Sequence, residues 1–268
     1  MNRPNARDGA RSEPGMARIR SKSPAELAKM REAGRVVAEA LELIRQEAGP
    51  SVTTKSLDAI VEDLIRSRGC TPAFKGYRRF PASICTSLNE QVVHGIPGDV
   101  KLKDGDLLSV DVGAVYEGYV GDAAATFEIG TCTAEARRLV EATRRTLDAA
   151  LQVVRAGVRV AEISAAIQRT AEAAGFQVVR QYTGHGIGKC MHEEPQIPNA
   201  VMGGAMRASP VLPRGATIAI EPMVNAGTGE VEVLDDGWTV VTKDRRLSAH
   251  FEHTVVVEKD GPVILTVL

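Results

Sequence analysis

Apolar residues recur at helical spacing in two pairs of segments, one pair in each half of the chain. Capping residues such as Ser23, Thr53 and Thr133 precede three of the segments, and a glycine follows each of the four. The spacing therefore predicts four amphipathic helices, which cover roughly residues 23–48, 53–68, 133–156 and 160–174.

Runs of apolar and β-branched residues between these helices predict short strands. The longest run, from Leu107 to Asp122, is typical of a hairpin whose arms reverse at Glu117-Gly118. Each half has two helices, a loop with a histidine and strands that carry two acids, although the halves share negligible sequence identity. We predict an α+β fold, a pseudo-twofold antiparallel sheet backed by helices, with further strands near residues 83–86, 92–94, 217–224, 238–241 and 247–257.

Four acidic residues interrupt the apolar strands. Asp111 and Asp122 lie in the hairpin, and Glu221 and Glu252 lie in the corresponding strands of the second half. Four buried carboxylates that meet would repel one another unless cations bind between them. Their convergence would therefore indicate two adjacent divalent metal ions in the centre of the fold. The alternative is that Asp111 or Asp122 faces solvent at a strand edge or turn.

Histidines supply candidate nitrogen ligands and proton-transfer groups. His185 is the best candidate ligand, because glycines at positions 184, 186 and 188 leave space for backbone and substrate to approach. His192 and His94 lie beside proline-containing segments, and His250 and His253 flank the last acid. A structural role stays open for each histidine, and strand alternation points His253 to the face opposite its acidic neighbour.

Composition narrows the classes of protein to which the chain can belong. Its 268 residues carry a net charge of -1 and 4% aromatic residues, which disfavours a stacking surface for single-stranded nucleic acid. We expect no membrane segment and no secretion signal, because no long apolar run occurs. The four cysteines are scattered without a CxxC pair, so we expect a reduced, cytoplasmic protein, and a monomer.

Residues 1–22 are polar, rich in arginine and without an apolar period. They predict a flexible basic tail in front of a catalytic domain of residues 23–268. A weak contact with an acidic surface such as ribosomal RNA is one function for the tail. A solvated tail without a partner is the simpler alternative.

Seven short motifs occur in order along the chain: His94-Gly-Ile-Pro97, Val110-Asp-Val-Gly113, Gly121-Asp122, Gly184-His-Gly-Ile-Gly188, His192-Glu-Glu-Pro195, Ile220-Glu-Pro-Met223 and Phe251-Glu-His-Thr254. From about residue 24 onwards, the chain resembles the methionine aminopeptidase family, which has the pita-bread fold. No helical insertion lies between His192 and Glu221, and no Cys/His-rich module precedes the domain. The resemblance is therefore to the type I, bacterial-like members.

The resemblance implies that the chain removes the N-terminal methionine from nascent proteins and peptides when the second residue is small. It implies two divalent metal ions (cobalt, manganese, iron, nickel or zinc) and a nucleophilic water between them. The residues that match the family's metal ligands are Asp111, Asp122, His185, Glu221 and Glu252.

The resemblance also implies roles for residues around the ligands. Glu221 would carry the proton of the attacking water, and His192 and His94 would bind the scissile amide and stabilise the developing charge. Met191 and Phe74 depart from the family, since an aromatic residue and a smaller residue are frequent at these positions. The residues that match the pocket for the methionine side chain are Tyr77, Phe80, Cys85 and Trp238.

Three other functions stay open on the sequence alone. A proline-directed peptidase of the same fold would carry a further N-terminal domain. A non-enzymatic interaction protein on the pita-bread scaffold would have lost metal ligands, and none of the five matching residues is missing. A nucleic-acid-binding protein would act through the basic tail.

Overall fold

A computed structural model describes residues 19–201 and 208–268 of the chain. Residues 1–18 of the predicted tail, and part of the irregular segment 202–213, lie outside the described residues. Residues 19–22 contact the domain: Ser21 forms an isolated backbone bridge with Ala216, and Lys22 is buried. The division at residue 22 into tail and catalytic domain stays a prediction.

The four predicted helices are confirmed in the described part of the chain. A capping box begins the first helix, because the Ser23 hydroxyl accepts from the Glu26 amide and the Glu26 carboxylate accepts from the Ser23 amide. Thr53 and Thr133 cap the second and third helices through their side chains. The helices are α1 Pro24–Glu47, α2 Thr54–Ser67, α3 Ala134–Val153 and α4 Val160–Ala173.

The predicted hairpin organises the first half of the chain. Its arms reverse at Glu117-Gly118, where both residues have positive φ angles, 44° and 78°, and the first arm pairs along its other edge with two short strands. Helix α1 packs so closely on the second arm that a Cβ at Gly121 would lie 2.6 Å from the Gly34 nitrogen. These strands are β1 Thr71–Pro72, β2 Ile84–Leu88, β3 Gln91–Val93, β4 Leu107–Tyr116 and β5 Tyr119–Glu128.

The second half contains shorter strands in an antiparallel arrangement, and helices α3 and α4 share one apolar core with them. Its strands are β6 Gln177–Val178, β7 Thr183–Gly186, β8 Glu193–Pro198, β9 Thr217–Ile220, β10 Met223–Asn225, β11 Val231–Val233, β12 Val240–Thr242, β13 Ser248–His250, β14 His253–Val257 and β15 Pro262–Ile264. The largest sheet has the order β15-β14-β9-β7-β8. Strand β3 of the first half pairs with β12, so one small sheet contains strands from both halves.

Two strands predicted as continuous are each interrupted at an acid. The run 217–224 divides at Glu221-Pro222 into β9 and β10, and the run 247–257 divides at Phe251-Glu252 into β13 and β14. Pro222 has no amide hydrogen to donate to a neighbouring strand. The amide of Glu252 instead donates to the carbonyl of Ala124, at 2.9 Å. The second-half acids therefore lie at strand ends, and the backbone there turns towards the hairpin.

Strand β14 lies beside the hairpin and joins the two halves. The Thr254 hydroxyl donates to the carbonyl of Asp122 at 2.7 Å and accepts from the amide of the same residue at 3.1 Å. The predicted α+β architecture, antiparallel strands backed by a helix pair in each half, is confirmed. Among residues 19–201 and 208–268, no helix is long and apolar enough to cross a membrane.

Candidate metal centre and active site

The hairpin register places the first two acids on one face. Asp122 lies opposite Gly113, and Asp111 lies opposite Ala124. Residues two apart on a strand share a face, and directly paired residues share it too. Both carboxylates therefore project from the same side of the hairpin. Asp122 is only 4% exposed, so the alternative that this acid faces solvent is wrong.

The other two acids reach the same place from adjacent strand ends. Ile220, the last residue of β9, lies opposite His253, the first residue of β14. Glu221 directly follows Ile220 in the chain, and Glu252 directly precedes His253. The Glu252 side chain is almost fully buried, and the Glu221 side chain is 13% exposed.

His185 lies on β7 and faces the acids. Its Nδ1 is 2.9 Å from the carbonyl oxygen of Gly186, and since a carbonyl can only accept, Nδ1 carries the hydrogen. Nε2 is therefore the free acceptor, 3.5 Å from an oxygen of Glu221 and 3.9 Å from an oxygen of Asp122. A second nitrogen fixed by a backbone carbonyl is the usual arrangement of a metal-binding histidine.

The donor set fits divalent cations. Ligand atoms of Asp122, His185 and Glu252 all lie within 4.8 Å of one another. One carboxylate oxygen on each of Asp111, Asp122 and Glu252 is buried without a hydrogen-bond partner among the described residues. Buried oxygens of this kind are costly unless a cation binds them. Oxygen donors with one imidazole accept several divalent metals, so the donors do not select one metal.

The acids share an environment that disfavours their charged forms when no cation is bound. Burial raises the pKa of Asp111 to about 7. Burial and then the charge of Glu252 raise the pKa of Asp122 well above its ordinary range. Burial and repulsion by neighbouring acids do the same to the pKa values of Glu221 and Glu252. A bound cation would offset both costs.

Two neutral histidines line the opening above the acids. The His192 ring centroid is 4.3 Å from that of His185, and its Nδ1 is 2.9 Å from the Tyr77 hydroxyl. His94 has a positive φ of 61°, and its ring contacts those of Tyr182 and Trp238 edge-on. Burial lowers the pKa of His94 to about 4 and also lowers the pKa of His192.

An apolar pocket adjoins the acids in the same cavity of about 290 Å³. Phe80 and Trp238 form its edge-to-face wall, with ring centroids 5.1 Å apart. Burial, and then the charge of Asp111, raise the pKa of the Cys85 thiol, so this side chain is a neutral, soft contact. Phe74 and Met191, the two departures noted in the sequence, also line the cavity.

The structure thus brings into one cavity every residue that the sequence matched to a metal ligand, a catalytic group or the methionine pocket, including Tyr77. Sequence reasoning missed other residues of its lining. Thr183 could have been found, because it lies two residues before His185 on one strand and shares its face. Arg78 had no sequence signal, since its place at the rim depends on the left-handed turn at this residue (φ 46°). The other missed lining residues are Gln181 and Tyr182.

His250, for which the sequence left a structural role open, also lies close to the acids. Its Nε2 is buried without a hydrogen-bond partner among the described residues, 3.9 Å from an oxygen of Glu221. Burial lowers the pKa of His250 to about 3. Strand alternation gives a signal for this position, because residues 250 and 252 are two apart.

The sequence profile of metallopeptidase family M24 matches residues 28–259, most of the chain. The chain belongs to metallopeptidase family M24. Within M24, the chain is similar to methionine aminopeptidase 1 of Bacillus subtilis, with 48% identity over 245 residues, 91% of this chain and 98% of that protein.

Two solved structures have an architecture similar to that of this chain. The crystal structure of methionine aminopeptidase from Thermotoga maritima has a TM-score of 0.90 and 44% identity, and the match covers 94% of this chain and all of that one. Prolidase from Pyrococcus furiosus has a TM-score of 0.76 at 21% identity and matches over 65% of its length. The likeness to prolidase concerns the fold alone. The M24 member described here therefore has the pita-bread fold and is a metal-dependent peptidase.

Proposed function

We propose that this protein is a methionine aminopeptidase, which hydrolyses the first peptide bond of a chain that begins with methionine. The observation that carries the proposal is one cavity in which five metal-ligand side chains adjoin an apolar pocket. Relatives at 45–48% identity over more than nine-tenths of the chain are methionine aminopeptidases. No observation favours the non-enzymatic alternative, since all five ligand-type side chains reach the cavity.

We assign the metal ligands to Asp111, Asp122, His185, Glu221 and Glu252. Asp111 would hold one ion and His185 with Glu221 the other, and Asp122 and Glu252 would serve both. Two bound divalent cations would supply a water of lowered pKa and a positive field for the scissile carbonyl. The orphaned carboxylate oxygens support this assignment.

Three side chains are assigned to proton transfer and charge stabilisation. Glu221 is more exposed than Glu252 and lines the cavity, so it can accept a proton from the attacking water and return it to the leaving amine. His192 and His94 are neutral at pH 7 and can donate hydrogen bonds to the oxygen on which charge develops. The Tyr77 hydroxyl orients the His192 ring for this task.

Substrate choice follows from two different limits. Phe80, Trp238 and Cys85 enclose an unbranched apolar side chain, which suits methionine better than leucine. The second side chain lies where His192 and the cluster of acids leave little volume, and a misplacement of about 1 Å can lower the rate about 10²-fold. We therefore expect cleavage only before Gly, Ala, Ser, Thr, Cys, Pro or Val, with slightly larger residues tolerated if Met191 moves.

Release of methionine from Met-Ala-Ser tests the activity, with the protein loaded in turn with Co²⁺, Mn²⁺, Fe²⁺, Ni²⁺ or Zn²⁺. We expect hydrolysis with at least one metal and none after thorough chelation. Leu-Ala-Ser tests the first pocket and Met-Lys-Ser tests the crowding. Equal rates for Leu-Ala-Ser and Met-Ala-Ser would contradict the pocket assignment. Equal rates for Met-Lys-Ser and Met-Ala-Ser would contradict the argument that the second side chain has little space.

We also infer that the enzyme acts in the cytoplasm on newly made chains. Its four cysteines are all free, which suits a reducing compartment. A weak contact of the basic tail with the ribosome is part of the same proposal. Deletion of residues 2–18 should leave Met-Ala-Ser hydrolysis unchanged and should reduce co-sedimentation with ribosomes; unchanged co-sedimentation would remove the tail from the proposal.

A further inference from the structure

A buried lysine lies outside the proposed active site and has no part in the chemistry described above. Lys22 directly precedes the cap of α1, and its side chain is 3% exposed. The segment before it is attached to the second half of the molecule, since the Lys22 amide donates to the carbonyl of Gly215 at 2.8 Å. The Ser21 hydroxyl adds a bond to the carbonyl of Arg214, at 2.7 Å.

The ammonium group of Lys22 is paired with one carboxylate. Its Nζ is 2.7 Å from Oε2 of Glu193. Removing a charge from water is expensive, and one partner left alone in the interior is strongly destabilised. Because the two residues are 171 positions apart in the chain, the pair joins the N-terminal segment to the loop that follows β7.

The second oxygen of Glu193 holds that loop in a closed turn. Oε1 accepts from the backbone amides of Lys189 and Cys190, at 2.9 and 3.3 Å. The space around the pair is filled, because a Cβ at Gly188 would lie 2.5 Å from the Glu193 oxygen and 2.6 Å from Cε of Lys22. The same turn is tied to β5, where the Val120 amide donates to the Gly188 carbonyl at 2.8 Å.

The turn carries two residues of the proposed active site. Met191 and His192 both line the cavity, and Glu193 directly follows them. Among the described residues, the His192 ring forms one hydrogen bond, with the Tyr77 hydroxyl. The position of its backbone therefore depends on the turn that Glu193 organises and Lys22 anchors.

We propose that Lys22 is a positioning residue for the hydrolysis: through Glu193 it holds the 188–193 turn so that His192 stays in register with the scissile amide. This inference rests on the proposed function, because it concerns the residue assigned there to charge stabilisation. Reaction rates fall steeply when a group is displaced by about 1 Å. Loss of the ion pair should therefore affect the chemical step more than substrate binding or metal binding.

The kinetic test compares three variants of the full chain with the wild type, all loaded with the metal that gives the wild type its highest activity. We expect Lys22→Met to lower kcat for Met-Ala-Ser by about tenfold or more, with KM and bound metal changed less than about twofold. Lys22→Arg should recover most of kcat because it keeps the charge. Lys29→Met is the matched control, since Lys29 forms an exposed pair with Glu117, and its kcat should equal that of the wild type.

A double-mutant cycle decides whether Lys22 acts through Glu193. Glu193→Gln should lower kcat as Lys22→Met does, and the double variant should be no slower than the slower single variant. If the fold-losses of kcat in the two single variants multiply in the double variant, the two residues act independently and the proposal is overturned. Wild-type kcat in Lys22→Met, or a loss that tracks lost metal, would overturn it as well.

A spectroscopic measurement tests the inference without turnover. In the Zn²⁺-loaded protein with ¹⁵N-labelled histidine, Lys22→Met should shift or broaden the ring signals of His192, assigned with His192→Gln. The signals of His253, whose Nδ1 contacts Thr266 instead, should stay in place. Unchanged His192 signals would overturn the positioning role, whereas a wild type that releases no methionine would overturn only the proposed function.

Discussion

At the scale of single residues, the site is built from groups that are costly to bury alone. Asp122 is 4% exposed, Glu252 is 2% exposed and His185 is 6% exposed. The two acids are compensated only in part by protein hydrogen bonds, since one oxygen of each has no partner among the described residues. These unpaired carboxylate oxygens explain why the same residues are suited to bind cations.

Asp122 is the residue whose loss should damage the site most. We expect Asp122→Ala to lower bound metal below one equivalent and to lower kcat by more than the roughly 10–100-fold typical of groups outside the ligand shell. Metal analysis of the dialysed variant and Met-Ala-Ser turnover measure both effects. Asp99→Ala, at a side chain 89% exposed, is the control; full activity in Asp122→Ala would end the two-ion assignment.

His192 should separate catalysis from metal binding. Its Nδ1 contacts the Tyr77 hydroxyl, and no role as a ligand is assigned to it. We expect His192→Ala to keep the wild-type metal content and to lower kcat about 10²-fold or more, the size typical of a missing transition-state donor. A parallel fall in bound metal would show that His192 is a ligand.

At the scale of elements, the hairpin and the interrupted strands place the acids differently. The ten-residue arms of β4 and β5 carry Asp111 and Asp122 within continuous pairing. The second-half acids instead lie where β9 and β14 begin or end, next to Pro222 and beside the hairpin backbone. Strand register therefore positions Asp111 and Asp122, whereas interruptions of the strands position Glu221 and Glu252.

The capping box of α1 should contribute measurably to stability, because α1 backs the hairpin that carries two acids. We expect Ser23→Ala to lower the free energy of unfolding by about 1 kcal/mol, since the cap satisfies amides that the helix leaves unpaired. Ser67→Ala, at the exposed last residue of α2, is the control and should change stability by less than about 0.5 kcal/mol. Denaturant unfolding measures both, and equal losses would contradict the capping argument.

At the scale of the whole molecule, the two halves meet at the acids, so stability and metal binding are linked. In the metal-free protein the raised pKa of Asp111 means that the folded state keeps a proton that the unfolded chain has released. The stability from this group is complete below the unfolded value of about 4 and is lost as pH rises through about 7. The other three acids act in the same direction.

Metal should therefore stabilise the protein more at higher pH. We expect the increase in Tm on adding Mn²⁺ to metal-free protein to be larger at pH 8 than at pH 6, because cations favour the charged acids. His185 does not contribute to this difference, since its pKa is lowered to about 4 and its ring is neutral at both pH values. Calorimetry at the two pH values measures the difference; an increase that is equal or larger at pH 6 would contradict the linkage.

Local sequence by itself determined the helices, the hairpin and the candidate residues. Caps, glycines and the 3.6-residue period are properties of neighbouring positions, so α1 begins after Ser23 and the hairpin reverses at Glu117-Gly118 as predicted. The acids and His185 stood out because charged or imidazole groups interrupt apolar or glycine-rich runs. The resemblance to known motifs added their proposed roles, which spacing could not have supplied.

Only the tertiary structure decided what lies beside the acids. The breaks at Glu221 and Glu252, the nearness of His250 and the pairing of Lys22 with Glu193 join residues far apart in the chain. No local period encodes such contacts, because they form when the two halves pack and the backbone of Glu252 bonds to Ala124. The cost of burying charge then selects which of these groups must pair with each other or with a cation.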